Sequence, residues 1–476
     1  MITFDSLSLA DASDQMRAGG LTPVAYLAAL LDGISRQNAS SVNAFISLTP
    51  QGIDRAMASA EQATQALRRG EDAGALHGIP YGLKDLIDYQ GVATTGQCQF
   101  YRANVATRDA FVVRRLKTAG AVFLGKLATD ELACGGRPED SAWPVPSNPW
   151  NPAYITGGSS SGSAVAVAAG FVPFALGTDT GGSIRNPSSR CGLVGLKPTY
   201  GRVSRDGLMP LSWSQDHIGP ITRTVRDNAL VLQCIAGHDA SDKTSSRHPV
   251  DDYAALIGHP LAGMTIGVLS EPFLQDPDAD PEQVAGIMQA VEVLRHAGAK
   301  IVERRLAGIP HINAVARLLL GADGFAVHAD GLRTAPDLYG KGARSRLLQG
   351  AWLSMADYVD LQRRRAGIVE SIERLMAGID VLVTASGYDR APKVGDASAF
   401  AKSYDQQLRM PFNLSGHPAM VVPTGVSAVT GLPSSMQIVG HYFDEARMYQ
   451  VAAAYESQAP WSAPGPRLNI HPGDIA

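Results

Sequence analysis

Residues 151–187 read NPAYITGGSSSGSAVAVAAGFVPFALGTDTGGSIRNP, and the reading of this stretch decides the fold and the chemistry. It crowds hydroxyls and glycines into a run of small apolar residues and contains no histidine. A serine hydroxyl is a weak nucleophile until a base takes its proton. The base must therefore come from elsewhere in the chain.

Within GTDTGGSIRNP, Ser183 follows Gly181 and Gly182. Two glycines let backbone N–H groups converge on one point without Cβ clashes. Such N–H groups beside a serine make an oxyanion hole next to a nucleophile. A plain glycine-rich turn fits the same residues, and the residues alone leave both readings open. The candidate base is Lys84 in GIPYGLKDLID, one of only nine lysines among 41 basic residues. It stands between apolar neighbours, where burial favours the neutral amine and a neutral lysine is a competent general base. The competing reading is a surface Lys84–Asp85 pair at a helix start.

Three other motifs fall short. GAVFLGKL, residues 120–127, lacks the hydroxyl of a phosphate loop because Leu127 stands in its place, and AVFL reads as a strand. GSSSG, residues 158–162, matches the nucleophile elbow of an α/β-hydrolase and would make Ser160 the nucleophile of an esterase. The preceding NPWNPAYIT holds two prolines and little strand character, so the elbow lacks its strand. No lysine has a serine three residues before it, which excludes the Ser-x-x-Lys arrangement.

The totals fit a globular enzyme. At 476 residues the chain is long for one small domain, but large α/β enzymes often form one unit. A net charge of -4, with 45% hydrophobic and 18% charged residues, gives no support to a nucleic-acid partner. Cys98, Cys134, Cys191 and Cys234 form no CxxC pair, so no metal site is expected and free thiols point to the cytoplasm. The N-terminal residues carry acids and no apolar core, so a signal peptide is not expected, and no run is long enough to span a membrane.

Residues 7–70 read as helices, with Thr22 capping and Pro23 opening TPVAYLAALLDGISRQN. A helix-then-strand order recurs in DAFVVRRLKTAGAVFLGK, AVEVLRHAGAKIVERRL and IERLMAGIDVLVTAS. This alternation predicts an α/β fold with a largely buried sheet.

GGSSSGSAVAVAAG and GTDTGGSIRNPSSRCGLVGLKPTYGRVS closely resemble the amidase signature family. HGIPYGLKDLIDYQGVATTG resembles its lysine segment. PLSWSQDHIGPITRTV, PFNLSGHPAMVVPTG and GLPSSMQIVGHYFDEA resemble its later blocks, so the likeness covers residues 20–460. The resemblance implies a mixed, mostly buried central β-sheet covered by helices on both faces. It implies one domain over residues 1–476, with a helical, variable region around 240–345 shaping the substrate pocket. Carried over, Ser183 is the nucleophile, Ser159 the bridging serine after a cis Gly158–Ser159 bond, and Lys84 the base. Thr180, Gly181, Gly182 and Ser183 line the oxyanion hole, and Ser161 stands where many relatives carry glycine. No metal or cofactor is implied.

The resemblance leaves the substrate open among aliphatic and aryl amides, anilides, urea-like compounds and carbamates or urethanes. PLSWSQDHIGP favours a stand-alone amidase with a small-molecule substrate, no nucleic acid, no membrane, and a monomeric or homodimeric state. PTYGRVSR keeps open the alternative, the amidase subunit of a glutamyl-tRNA amidotransferase. The pocket is expected to be neutral, with Cys134, Gly135 and Trp143 as candidate lining residues; Trp143 is able to stack on an aromatic substrate.

Overall fold

The computed structural model describes residues 7–36, 42–134 and 141–458. One sheet of ten strands runs through them: β1 Pro80–Lys84, β2 Val122–Leu127, β3 Phe174–Asp179, β4 Val194–Lys197, β5 His217–Thr222, β6 Thr265–Glu271, β7 Lys300–Arg305, β8 Val381–Ala385, β9 Ala419–Val426 and β10 Pro433–Gly440. Their order across the sheet is β2-β1-β3-β5-β4-β9-β10-β8-β6-β7. Parallel pairs at both ends flank an antiparallel centre, so the sheet is mixed.

The strands at the β2–β1–β3 end read as continuous apolar runs because both faces are covered. Phe174 and Leu176 of β3 enter one hydrophobic core, and Ala175 between them enters another. This is the period of two expected of a strand buried on both sides. β7 lies at the opposite edge, and its residues are all exposed or half-buried. No helix of the described residues is long and apolar enough to cross a membrane.

The expected helices form where capping chemistry and periodicity agree. Thr22 Oγ1 accepts from the Ala25 N–H at 3.1 Å, and Pro23–Arg36 follows. The three helix-then-strand units appear as Phe111–Thr118 with β2, Pro281–His296 with β7, and Met355–Met376 with β8. Residues 240–345 are not purely helical. They hold Pro281–His296 and Ile309–Thr334, and they also contribute β6 and β7 to the sheet edge. These two strands are seven and six residues long, and the Pro-rich connection after β6 hides the sheet edge in the sequence.

The helix Ser161–Ala168 (SGSAVAVA) is buried along its whole length, and its small residues permit close packing against β1, β2 and β3. A Cβ at Gly162 would stand 2.3 Å from Ala128 N and 2.5 Å from Ala44 O, both backbone atoms. Gly162→Ala is therefore expected to destabilise the fold by about 1–3 kcal/mol through overpacking, against a helix-propensity gain of about 1 kcal/mol. A urea midpoint equal to or above that of the wild type would contradict this packing.

Candidate active site

Strands β2, β1 and β3 are mutually parallel and end on the same side of the sheet. β1 ends in Lys84, β3 ends in Thr178 and Asp179, and the chain leaving β2 reaches Asp130. Carboxyl ends of parallel strands are where α/β sheets place their ligands. Lys84 is fully buried, and its Nζ lies 2.8 Å from Ser159 Oγ and 2.8 Å from Thr178 Oγ1. A neutral amine at this point accepts one hydroxyl proton and donates to the other oxygen.

The Gly158–Ser159 peptide bond is cis. Asp130 N–H donates to Ser159 O at 3.0 Å. The Asp130 carboxylate also lies against Gly158, where a Cβ would come within 2.1 Å of Oδ2. On the facing loop, the Ser160 N–H donates to Ser183 O at 3.1 Å, which ties the two serine segments together. Ser183 is half-buried, and its Oγ makes no hydrogen bond to a described residue.

Asp179 is the template for the Ser183 loop. Its carboxylate accepts from the N–H of Gly182 at 2.8 Å and of Ile184 at 3.2 Å. It also accepts from Arg185 Nε and Nη2 at 3.0 Å each, and from Asn413 Nδ2 at 2.7 Å. Arg185 reaches on to Gln437 Oε1 at 2.8 Å and Asn413 Oδ1 at 2.6 Å. Thr180 Oγ1 donates to Asp216 Oδ1 at 2.6 Å. With Gly182 held by Asp179, the N–H groups of Gly181 and Ser183 reach no described residue, and neither does that of Thr180. Such donors on a braced loop suit a developing oxyanion.

The electrostatics follow from burial. Burial pushes the Lys84 pKa down to about 7 from the ordinary 10.5, although Asp130, Asp179 and Asp216 pull the other way. Burial raises Asp130, opposed by Lys84 and Arg346. Burial also disfavours the Asp179 charge, but the Arg185 guanidinium and the Arg185 and Asn413 hydrogen bonds outweigh it and hold the carboxyl well below the usual range. The array thus joins a lysine biased toward its neutral form to a serine, with a permanently ionised carboxylate shaping the nucleophile's loop.

The amidase family model matches residues 26–448. The chain belongs to the amidase family. Its relatives include a glutamyl-tRNA(Gln) amidotransferase subunit of Roseiflexus sp. (strain RS-1), 38% identical over 99% of this chain and 100% of that protein. The corresponding protein of Synechococcus sp. (strain RCC307) is 38% identical over 94% of this chain and 96% of its own. Among solved structures, the peptide amidase of Stenotrophomonas maltophilia superposes with a TM-score of 0.85 at 30% identity, covering 97% of this chain and 98% of that one. The glutamyl-tRNA(Gln) amidotransferase subunit from Thermotoga maritima superposes with a TM-score of 0.80 at 30% identity, covering 97% and 96%.

These relatives correct the expected substrate and partners of this amidase. The expectation of a stand-alone hydrolase of small amides, anilides or carbamates gives way to the amidotransferase alternative, because relatives at 37–38% identity over nearly the full chain carry that name. The long shared blocks build the catalytic core and do not encode the substrate, and PLSWSQDHIGP pointed the wrong way. The same names displace the expectation of a small-molecule substrate without nucleic acid and of a monomer or homodimer. A near-neutral total charge is an average over the whole surface and does not speak to an RNA held by an assembly.

The structure of this amidase brings together Lys84, Ser159 and the Ser183 loop, and corrects other assignments. Ser160 is no nucleophile: it is fully buried, and its Oγ donates to Thr178 O and accepts from Thr178 N–H, each at 3.1 Å. Gly182 N–H is no oxyanion donor, since Asp179 takes it. Asp85 does not pair with Lys84 at the surface. It is buried against Thr95 and against Lys126, whose Nζ lies 3.4 Å away. Cys134 is buried, its O accepts from Arg346 Nη1 at 2.6 Å, and burial pushes its thiol up to about 12. Trp143 is half-buried, and its backbone N–H donates to Ser141 Oγ at 3.2 Å. Gly135 lies outside the described residues. Nor are the surroundings neutral: Asp130, Arg346 and Arg409 stand near the serines. The sequence reading missed Asp179, although it stands inside GTDTGGS two residues before the glycine pair, and Asp130 and Arg409 carried no local signal.

Proposed function

We propose that this chain is the amide-hydrolysing subunit of a glutamyl-tRNA(Gln) amidotransferase. The observation that carries the reading is 38% identity to one such subunit over 99% of this chain and 100% of that protein. In this reading Lys84, neutral, takes the Ser159 proton as Ser159 takes that of Ser183. Ser183 Oγ attacks the carbonyl of an amide donor, and the N–H groups of Gly181 and Ser183 bind the oxyanion. The relay returns a proton to the departing nitrogen, ammonia leaves, and water hydrolyses the acyl-enzyme. The ammonia is the nitrogen source for the glutamyl group on tRNA(Gln), in an assembly with companion subunits. No metal or cofactor enters these steps. Residues 1–476 act as one catalytic unit in the cytoplasm, where aminoacyl-tRNA is made.

The test supplies the chain, assembled with its companion subunits, with an amide donor labelled with nitrogen-15 on the carboxamide and with glutamyl-tRNA(Gln). Labelled glutaminyl-tRNA(Gln) is expected, and its formation stops when Ser183 is replaced. Amide hydrolysis without any labelled tRNA product contradicts the assignment.

A further inference from the structure

Asp216 is a buried carboxylate, 3% exposed, that forms no salt bridge among the described residues. Its Oδ2 accepts from the N–H groups of Leu211 and Ser212 at 2.9 Å each, and its Oδ1 accepts from Thr180 Oγ1 at 2.6 Å. Burying a carboxylate without a cation is costly unless hydrogen bonds replace the lost water. Burial raises its pKa, and the Thr180 hydroxyl comes first among the groups that pull the other way. The turn that carries Asp216 is itself anchored: the hydroxyls of Ser212 and Ser214 donate to Asp323 Oδ2 at 2.6 and 3.1 Å, on the helix Ile309–Thr334.

The next residue grips the same segment. His217 Nδ1 faces two carbonyl oxygens, Gln215 O at 2.6 Å and Asp179 O at 3.1 Å, so this nitrogen carries the proton and donates. Asn413 Nδ2 donates to the same Asp179 carbonyl at 3.3 Å. Asp216 and His217 thus hold two consecutive residues, Thr180 by its side chain and Asp179 by its backbone. The Asp179–Thr180 bond is trans, and in a planar trans peptide the N–H points away from the carbonyl. A fixed Asp179 carbonyl therefore aims the Thr180 N–H, and the tie on Thr180 Oγ1 limits how the chain turns into Gly181. Further along, the N–H groups of Gly182 and Ile184 are pinned by the Asp179 carboxylate. The free N–H groups of Thr180, Gly181 and Ser183 are interleaved with these pinned points. A glycine pair left to itself samples many conformations, and donors stabilise an oxyanion best when they are already aimed.

We infer that Asp216 is a positioning residue for amide hydrolysis: through Thr180 Oγ1 it fixes the backbone that presents the oxyanion donors. The inference rests on Ser183 as the nucleophile proposed above and is independent of the tRNA step. The competing role for Asp216 is a cap that merely closes its own turn at Leu211 and Ser212.

The test follows phosphonylation of Ser183 by a serine-reactive fluorophosphonate, in the full chain with whatever subunits copurify. Ser183 Oγ forms the bond to phosphorus, fluoride leaves, the serine proton passes to the relay, and the phosphoryl oxygen takes the place of the oxyanion. Thr180→Val keeps the shape, removes the hydroxyl, and leaves both turn bonds of Asp216 in place. It is expected to lower kinact roughly 10- to 100-fold, with KI within roughly 3-fold of the wild type. Thr180→Ser restores the hydroxyl and is expected to recover most of the loss. Asp216→Asn sets an amide NH2 against hydrogen-bond donors, is expected to fall at least as far as the valine variant, and serves if that variant does not fold. A Thr180→Val protein labelled with the wild-type kinact overturns the inference and leaves Asp216 as a cap. So does a loss confined to the labelled fraction and the melting temperature, with kinact of the folded protein unchanged. A serine variant no faster than the valine variant overturns it too. A wild type with no adduct on Ser183 overturns the nucleophile assignment, and this inference with it.

Discussion

Ser183→Ala is expected to reduce amide hydrolysis on the order of 10^6-fold, the scale seen when a nucleophile that works as part of a relay is removed. Thermal stability is expected to stay close to that of the wild type. Ser183 Oγ makes no hydrogen bond to a described residue, so its loss leaves no buried partner unsatisfied. The loop is held instead by Asp179 through Gly182, Ile184 and Arg185. Steady-state hydrolysis and a melting scan on the same preparation check both halves. A variant that keeps a hundredth of the wild-type rate contradicts the role of Ser183.

The second large effect belongs to Lys84. Replacement by methionine fills a similar volume and removes the base for both acylation and deacylation, with an expected loss of about three to four orders of magnitude. Lys84→Arg is expected to do no better, because a guanidinium remains protonated and presents no lone pair. Burial lowers Lys84 to about 7, so wild-type kcat/KM should rise with pH through one ionisation near that value and level off above it. The same shift has a stability signature. Between about 7 and 10.5 the unfolded chain holds a proton that the folded chain does not. The Lys84 contribution to stability therefore improves as pH rises across that window and is least favourable below it. In Lys84→Met this slope is expected to vanish. A Lys84→Arg enzyme with near-native activity, or a wild-type rate that falls between about pH 6 and 8, contradicts the relay.

The sequence made the centre of the molecule legible because there the local chemistry and the fold agree. Pro23 and Thr22 start a helix, β2 reads as an apolar strand, and the glycine-serine segment sits where the sheet's parallel strands end. The features that stayed hidden depend on distant residues. Asp130 meets Gly158 only because the chain leaving β2 bonds to the start of the Ser161–Ala168 helix, Gly162 N–H to Ala128 O at 2.9 Å, and Arg409 reaches Gly182 across a long stretch of intervening chain. The oxyanion assignment failed at Gly182 for the same kind of reason: the glycine pair marks a turn, but only the folded loop reveals that Asp179 occupies one of its N–H groups. Substrate identity was misread because the recognisable blocks are catalytic scaffold.

The most direct test of the account treats the folded chain with a serine-reactive fluorophosphonate and maps the modified peptide by mass spectrometry. A single adduct on Ser183, lost in Lys84→Met at neutral pH, is the predicted result. An adduct on Ser160, or labelling of Ser183 that is indifferent to Lys84, contradicts it.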